Sequence, residues 1–224
     1  MDDVRILNLK ESVFADNDRE AEKLREELTR RGVFLLNLMS APGSGKTTLL
    51  VAIINKLKDE FKIGVMEADI DGRCDAETIV QKTGVRAIQL HTGGMCHLDA
   101  GMTRQGIEGM GDNDFDLLIL ENVGNLVCPA EFDTGATKNM MILSVPEGDD
   151  KPIKYPLMFE VSDAVIISKI DTLPVFDFDM DVARERIKRR NPNAVIFPAS
   201  AKTGEGIDAI CDWLRCEIRS IASR

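Results

Sequence analysis

The segment that most constrains this chain is Val33–Thr47. An apolar run, Val33 to Met39, leads into Ser40-Ala41-Pro42-Gly43-Ser44-Gly45-Lys46-Thr47, and an apolar helical stretch follows from Lys46 to about Glu60. Strand, glycine loop and helix in that order form the context a phosphate-binding loop requires. Gly43 and Gly45 let backbone N–H groups approach phosphate oxygens, and the helix start adds the positive end of its dipole. Lys46 would reach the β- and γ-phosphates, and the Thr47 hydroxyl would bind Mg²⁺. The loop departs from G-x-x-x-x-G-K-[ST] only at its first position, where Ser40 stands at the expected turn.

The rest of the chain alternates strand and helix. Strands are expected at Lys62–Glu67, Val85–Leu90, Asp116–Glu121, Met140–Val145, Ala164–Ser168 and Ala194–Phe197. Helices are expected at Asp16–Arg30, Asp75–Lys82, Leu98–Met110, Asp179–Arg190 and Gly206–Ser220, with a loop over Asn122–Gly135. Short apolar strands between helices imply an α/β fold, a P-loop NTPase with a mostly parallel sheet of about seven strands covered by helices on both faces. At about 100–200 residues per domain, the 224 residues read as one domain, with residues 1–31 a helical extension packed on it.

Composition removes several functions. A net charge of −10 argues against binding nucleic acid or an anionic membrane by charge. The longest apolar run, Leu49 to Ile54, falls far short of the roughly 20 residues of a spanning helix. The acidic start Met1-Asp2-Asp3 lacks the basic and apolar regions of a secretory signal. Five cysteines are an odd, sparse set for disulfides, so the expectation is a cytoplasmic protein with reduced thiols. The acidic loop Glu147-Gly148-Asp149-Asp150 reads as solvated surface.

Two later segments look like the guanine-recognition segments of the GTPase superfamily, N-K-x-D and S-A-K: Ser168-Lys169-Ile170-Asp171 and Ser200-Ala201-Lys202. A carboxylate such as Asp171 accepts from guanine N1–H and the 2-amino group, which adenine does not offer, and the stem of Lys169 can cover the base. Ser168 stands for the usual Asn. Asp69 and Glu121 close strands at the ligand edge of a parallel sheet and are Mg²⁺ candidates. Asp75 suits either Mg²⁺ or a helix N-cap. Glu121-Asn122-Val123-Gly124 has the shape of a D-x-x-G switch, with the Gly124 N–H facing the γ-phosphate. Spacing alone favours a polar loop with a buried thiol at Cys96, His97 and Cys128, but both loops follow strands on the nucleotide edge, and that placement raises the case for a soft metal site. Cys74, Cys211 and Cys216 read as bystanders, and His91 as a residue that shapes a loop more readily than it assists at the metal.

Four segments carry a resemblance over nearly the whole chain: Pro42–Leu50, Cys96-His97-Leu98-Asp99-Ala100, Glu121–Asp133 and Glu147–Pro152. The chain resembles the HypB family of hydrogenase nickel-incorporation GTPases, of the SIMIBI class. The resemblance implies a GTP-hydrolysing metallochaperone for [NiFe]-hydrogenase, binding GTP or GDP with Mg²⁺, and Ni²⁺ or Zn²⁺ through Cys96, His97 and Cys128 near a GTP-promoted homodimer interface. Its partners would be other hydrogenase maturation proteins and the hydrogenase large subunit. The nucleotide set it implies is Gly43, Ser44, Gly45, Lys46, Thr47, Thr48, Asp69, Asp75, Gly124, Lys169, Asp171, Ser200, Ala201 and Lys202, with Lys46, Thr47 and Glu121 catalytic and Thr47, Asp75 and Glu121 on Mg²⁺. An N-terminal C-x-x-C-G-C motif and a histidine-rich stretch, present in some members, are absent from Met1–Asp18. Three rivals remain: a urease-type nickel GTPase, which wants a Cys-Pro-His motif where this chain has Cys128-Pro129-Ala130, a P-loop small-molecule kinase, and a non-catalytic scaffold whose metal site is structural.

Overall fold

The computed structural model describes residues 9–69, 74–111 and 114–222; side chains are described from Phe14, and not at Cys74. The strands are β1 (Phe34–Ser40), β2 (Ile63–Asp69), β3 (Arg86–His91), β4 (Leu117–Glu121), β5 (Lys138–Ser144), β6 (Ala164–Ser168) and β7 (Val195–Pro198). The long helices are α1 (Leu9–Arg30), α2 (Lys46–Leu57), α3 (Cys74–Thr83), α4 (Ala100–Gly109), α8 (Met180–Arg190) and α9 (Ile207–Ala222). Between them lie the short helices α5 (Cys128–Glu131), α6 (Lys151–Lys154) and α7 (Pro156–Glu160).

The strands form one seven-stranded sheet in the order β3-β2-β4-β1-β5-β6-β7. Every pairing is parallel. The expected α/β architecture is therefore present, and its cause is visible in the strands. All seven residues of β1 are buried, as are all five of β4 and of β6. A strand buried on both faces must be apolar throughout, because successive side chains point to opposite sides. Phe34, Leu36 and Leu38 face a core built with α2 and α9. Leu35 faces a second core with Leu24 and Leu28 of α1 and Ile107 of α4. Met39 joins a third, with Met141, Phe159 and Ile187, under α7 and α8.

Three local expectations change. Ser40 does not make a turn: it ends β1, fully buried, and Lys169 is the one non-glycine at positive φ among the described residues. The loop expected over Asn122–Gly135 contains the helical turn α5. The acidic loop after β5 is only partly solvated and is also structural. Glu147 Oε2 accepts from the Ser144 N–H at 2.8 Å, Asp149 pairs with Arg186, and Asp150 pairs with Lys154. Charges close to opposite partners are held in place, so composition alone misjudged them. Among the described residues no helix is long and apolar enough to cross a membrane.

Candidate functional site

Gly45 takes φ 93°, the left-handed turn from which α2 starts at Lys46. Only glycine does this without strain, and the turn leaves the first N–H groups of α2 free for an anion. Ser44 donates its hydroxyl to Ser40 Oγ at 2.7 Å, and the Ser40 hydroxyl donates to the Ala41 carbonyl at 2.8 Å. Ser40 thus braces the loop from inside, a role open to serine at an extended position.

One side of the loop is a cavity of about 320 Å³ whose walls include Ser44, Gly45, Thr48, Lys169, Asp171, Ser200, Ala201 and Lys202. Asp171 Oδ1 accepts from the Ser200 hydroxyl at 2.6 Å. That bond first, and the Lys202 ammonium among smaller contributions, hold the Asp171 carboxyl below its ordinary range. Lys169 is strained, at φ 59° and ψ 37°. Its ammonium donates to the Gly43 carbonyl at 2.8 Å, and its own carbonyl accepts from the Thr172 hydroxyl at 2.7 Å. Ser168 donates to the Ser44 carbonyl at 3.1 Å. The segment at the end of β6 is therefore fastened to the phosphate loop and the segment after β7 to Asp171, and serine makes the loop contact where the pattern expects asparagine.

The other side is a polar cavity lined by Gly43, Lys46, Glu67, Asp69, Asp75, Glu121 and Gly124, among others. Thr47, half-buried, follows Lys46 on α2. Glu67 and Glu121 are partners in the β2–β4 register, and both are buried. Asp75 comes over them from the first turn of α3, which begins at Cys74, so it is not an N-cap. One carboxylate oxygen from each of Glu67, Asp75 and Glu121 lies within 4.8 Å of the others. Burial first, then neighbouring acids, pushes Glu121 up to about 8, against the pull of Lys46. Burial likewise pushes Glu67 up to about 7, against the amide of Gln89 that donates to it. Glu121 Oε2 is buried without a hydrogen-bond partner. Three crowded acids and an orphaned carboxylate oxygen fit a hard divalent cation such as Mg²⁺.

From Glu121 the chain turns back over the loop. A Cβ at Gly124 would meet Pro42 at 3.3 Å. Cys128 begins α5 soon after. Its thiol is pushed up, first by a hydrogen bond with the Cys96 thiol and then by burial. Cys96 Sγ lies 4.0 Å from His97 Nδ1. Burial lowers His97, favouring the neutral imidazole that ligates metals. The three donors are neighbours but are not gathered: among the described residues the carboxylate trio alone brings three ligand atoms within 4.8 Å. The described bystanders stand apart: Cys211 is buried in the core and Cys216 is exposed, while the Cys74 side chain lies outside the described residues. His91 ends β3 and lines a neighbouring cavity with Met95.

This geometry has close relatives. The model of the CobW/HypB/UreG nucleotide-binding domain matches residues 34–198, from the start of β1 to the end of β7. The chain belongs to the CobW/HypB/UreG family. Within it, the hydrogenase maturation factor HypB of Rhizobium leguminosarum bv. viciae is 45% identical over 96% of this chain and 71% of its own. The probable hydrogenase maturation factor HypB of Methanocaldococcus jannaschii is 36% identical over 97% and 98%. The crystal structure of HypB from Helicobacter pylori in complex with nickel aligns with a TM-score of 0.85 and 42% identity, covering 92% of this chain and 96% of that one. A signal recognition particle receptor FtsY structure from Elizabethkingia anophelis shares the fold alone, at 14% identity and a TM-score of 0.55 over 85% and 70%.

One residue of this family member's site escaped the sequence reading. In the sequence Glu67 is only the last residue of the expected strand Lys62–Glu67, whereas Asp69 draws attention as a Mg²⁺ candidate at the strand exit. Asp69 lines the same cavity but is outside the carboxylate trio. The signal available was period two: Glu67 and Asp69 share one face of β2.

Proposed function

We propose that this chain is a GTP-hydrolysing nickel metallochaperone serving hydrogenase maturation, in which one strand exit links the nucleotide to the metal. The carrying observation is continuity. Glu121 belongs to the carboxylate trio, Gly124 lies against Pro42 of the phosphate loop, and the Cys128 thiol neighbours the Cys96 thiol, all on one short stretch of chain. The nickel held by the Helicobacter pylori relative supports the cargo.

GTP would lie along the phosphate loop. Asp171 and Lys169 receive guanine, with Ser200, Ala201 and Lys202 closing the base side. Gly43, Ser44, Gly45, Lys46, Thr47 and Thr48 surround the phosphates. Mg²⁺, when bound, would neutralise phosphate charge, held by Glu67, Asp75, Glu121 and Thr47. Lys46 stabilises charge on the β- and γ-phosphates as water displaces GDP from the γ-phosphorus. Loss of the γ-phosphate frees Gly124, and the stretch to Cys128 relaxes. Cys96, His97 and Cys128 would hold Ni²⁺ or Zn²⁺, with a second copy of the chain completing the coordination in a GTP-promoted dimer. The whole chain then acts as one nucleotide-binding unit with α1 as its extension, in the cytoplasm, handing nickel to maturation partners and the hydrogenase large subunit.

The test is a nickel titration of wild type and Cys128→Ser, with GDP and with a non-hydrolysable GTP analogue, following molecular mass. The reading expects nickel binding that depends on Cys128, changes with nucleotide, and accompanies dimerisation. Linkage requires nickel to change analogue affinity by the same factor. Identical curves with both nucleotides overturn it. The relative named as a hydrogenase/urease maturation factor makes urease a second destination for the same cargo.

A further inference from the structure

Helix α1 reaches the two loops that carry the soft donors. The Asn17 side chain accepts from the Ala100 N–H at 2.9 Å and donates to the Asp133 carbonyl at 2.9 Å. Flipping the amide would break both bonds, so its orientation is fixed by the network. Ala100 is the first residue of α4, and its N–H would otherwise be an orphan of the helix start. Asn17 therefore ties the loop of Cys96 and His97 to the loop of Cys128.

A second contact runs through aromatic rings. The Phe132 ring stacks on the His97 imidazole, with centroids 3.8 Å apart and an interplanar angle of 11°. The Phe14 ring packs against Phe132 at 4.8 Å. The covered face fixes the imidazole plane and leaves the nitrogen-bearing edge for a ligand. Behind them, Arg25 holds both carboxylate oxygens of Asp133, at 2.7 and 2.6 Å.

We propose that Phe14 and Asn17 are positioning residues of the nickel site: they set the separation and tilt of the Cys96–His97 and Cys128 loops, so the docking of α1 sets metal affinity. This rests on the reading of Cys96, His97 and Cys128 as the cargo site. The three donors are adjacent but not converged, so the ion must draw the loops together against whatever holds them. Tethers that keep the loops close to the bound arrangement reduce that cost.

The experiment titrates NiCl₂ against a competing chelator in the full chain, reading thiolate-to-nickel absorbance, thermal midpoint and GDP affinity. Asn17→Leu should weaken nickel binding about tenfold and shift the absorbance band. Phe14→Leu should weaken it severalfold, and Phe14→Tyr, which keeps the ring, should bind as wild type. GDP affinity should be unchanged in all three. Nickel affinity and spectrum equal to wild type in both Asn17→Leu and Phe14→Leu overturn the inference alone. A parallel loss of GDP binding and thermal stability in both variants overturns it too, in favour of a general packing role. Equal binding by wild type and Cys128→Ser overturns the cargo site and the inference with it.

Discussion

Asn122 donates its side-chain amide to Asn37 Oδ1 at 3.1 Å, across the boundary between β4 and β1. Asn37 in turn donates to Asn139 Oδ1 at 3.0 Å, and Asn139 to the Val161 carbonyl at 3.2 Å. A line of amides thus crosses the sheet and anchors the first residue after Glu121. Replacing Asn37 with Leu should destabilise the protein by about 1–3 kcal/mol, the cost of leaving buried polar partners unpaired. Chemical denaturation measures it. An unchanged midpoint would mean that the line is incidental.

The base-side cavity gives a sharper test. Guanine offers N1–H and an amino group to the Asp171 carboxylate, whereas xanthine offers N1–H and a carbonyl. Asp171→Asn should therefore lose GTP affinity by about two orders of magnitude and gain affinity for xanthosine triphosphate, because the site would present an unmatched donor to guanine. Binding curves for the two nucleotides decide it.

Glu121 costs folding energy in the metal-free protein, because burial and neighbouring acids push its carboxyl up to about 8 and it must take up a proton or ionise beside them. Glu121→Gln keeps the shape, and the new amide can donate to the neighbouring acids. It should abolish nucleotide turnover while raising the metal-free thermal midpoint. A fall in the midpoint would show that the acids are not in conflict.

Gly124 lies against Pro42 with little room for a methyl group. A Cβ contact of 3.3 Å requires the neighbour to give by a few tenths of an ångström. Gly124→Ala should leave GDP affinity near wild type and remove the effect of a GTP analogue on nickel affinity. Retained coupling would count against this route.

The clasp of α1 on α4 should depend on pH. Arg104 donates to Glu27 at 2.7 Å and to Glu20 at 3.2 Å. The bond from Arg104, ahead of smaller charge effects, lowers the Glu27 carboxyl. A depressed acid stabilises the fold above its unfolded value and loses that contribution as pH falls through the folded one. The stability gap between wild type and Arg104→Met should be present at neutral pH and close in acid, below the ordinary Glu value of 4.5. Both acids are partly exposed, so the gap should be under about 1 kcal/mol.

What was legible in the sequence follows from the range of each interaction. Phosphate loop, strands and guanine segments are local patterns, and Val33–Thr47 or Ala164–Asp171 carry them whole. Glu67 needed the β2–β4 register, which no single segment contains. Asn17 and Phe14 needed the docking of α1 on loops far along the chain. Ser40 and Glu147 were misjudged because a hydroxyl or carboxylate reveals its partner only once the backbone has folded.

The register that sets Glu67 beside Glu121 also has a dynamic consequence. Two like charges locked into adjacent strands push on the ligand end of β2 and β4 whenever both are ionised, and backbone pairing resists them with help from Lys46 and the Gln89 amide. That end of the sheet should breathe more than the opposite end, with amides near Ala68 and Leu120 exchanging faster than those near Ile63 and Leu117. Magnesium and nucleotide would then act as a latch, slowing exchange in the interior of the sheet itself.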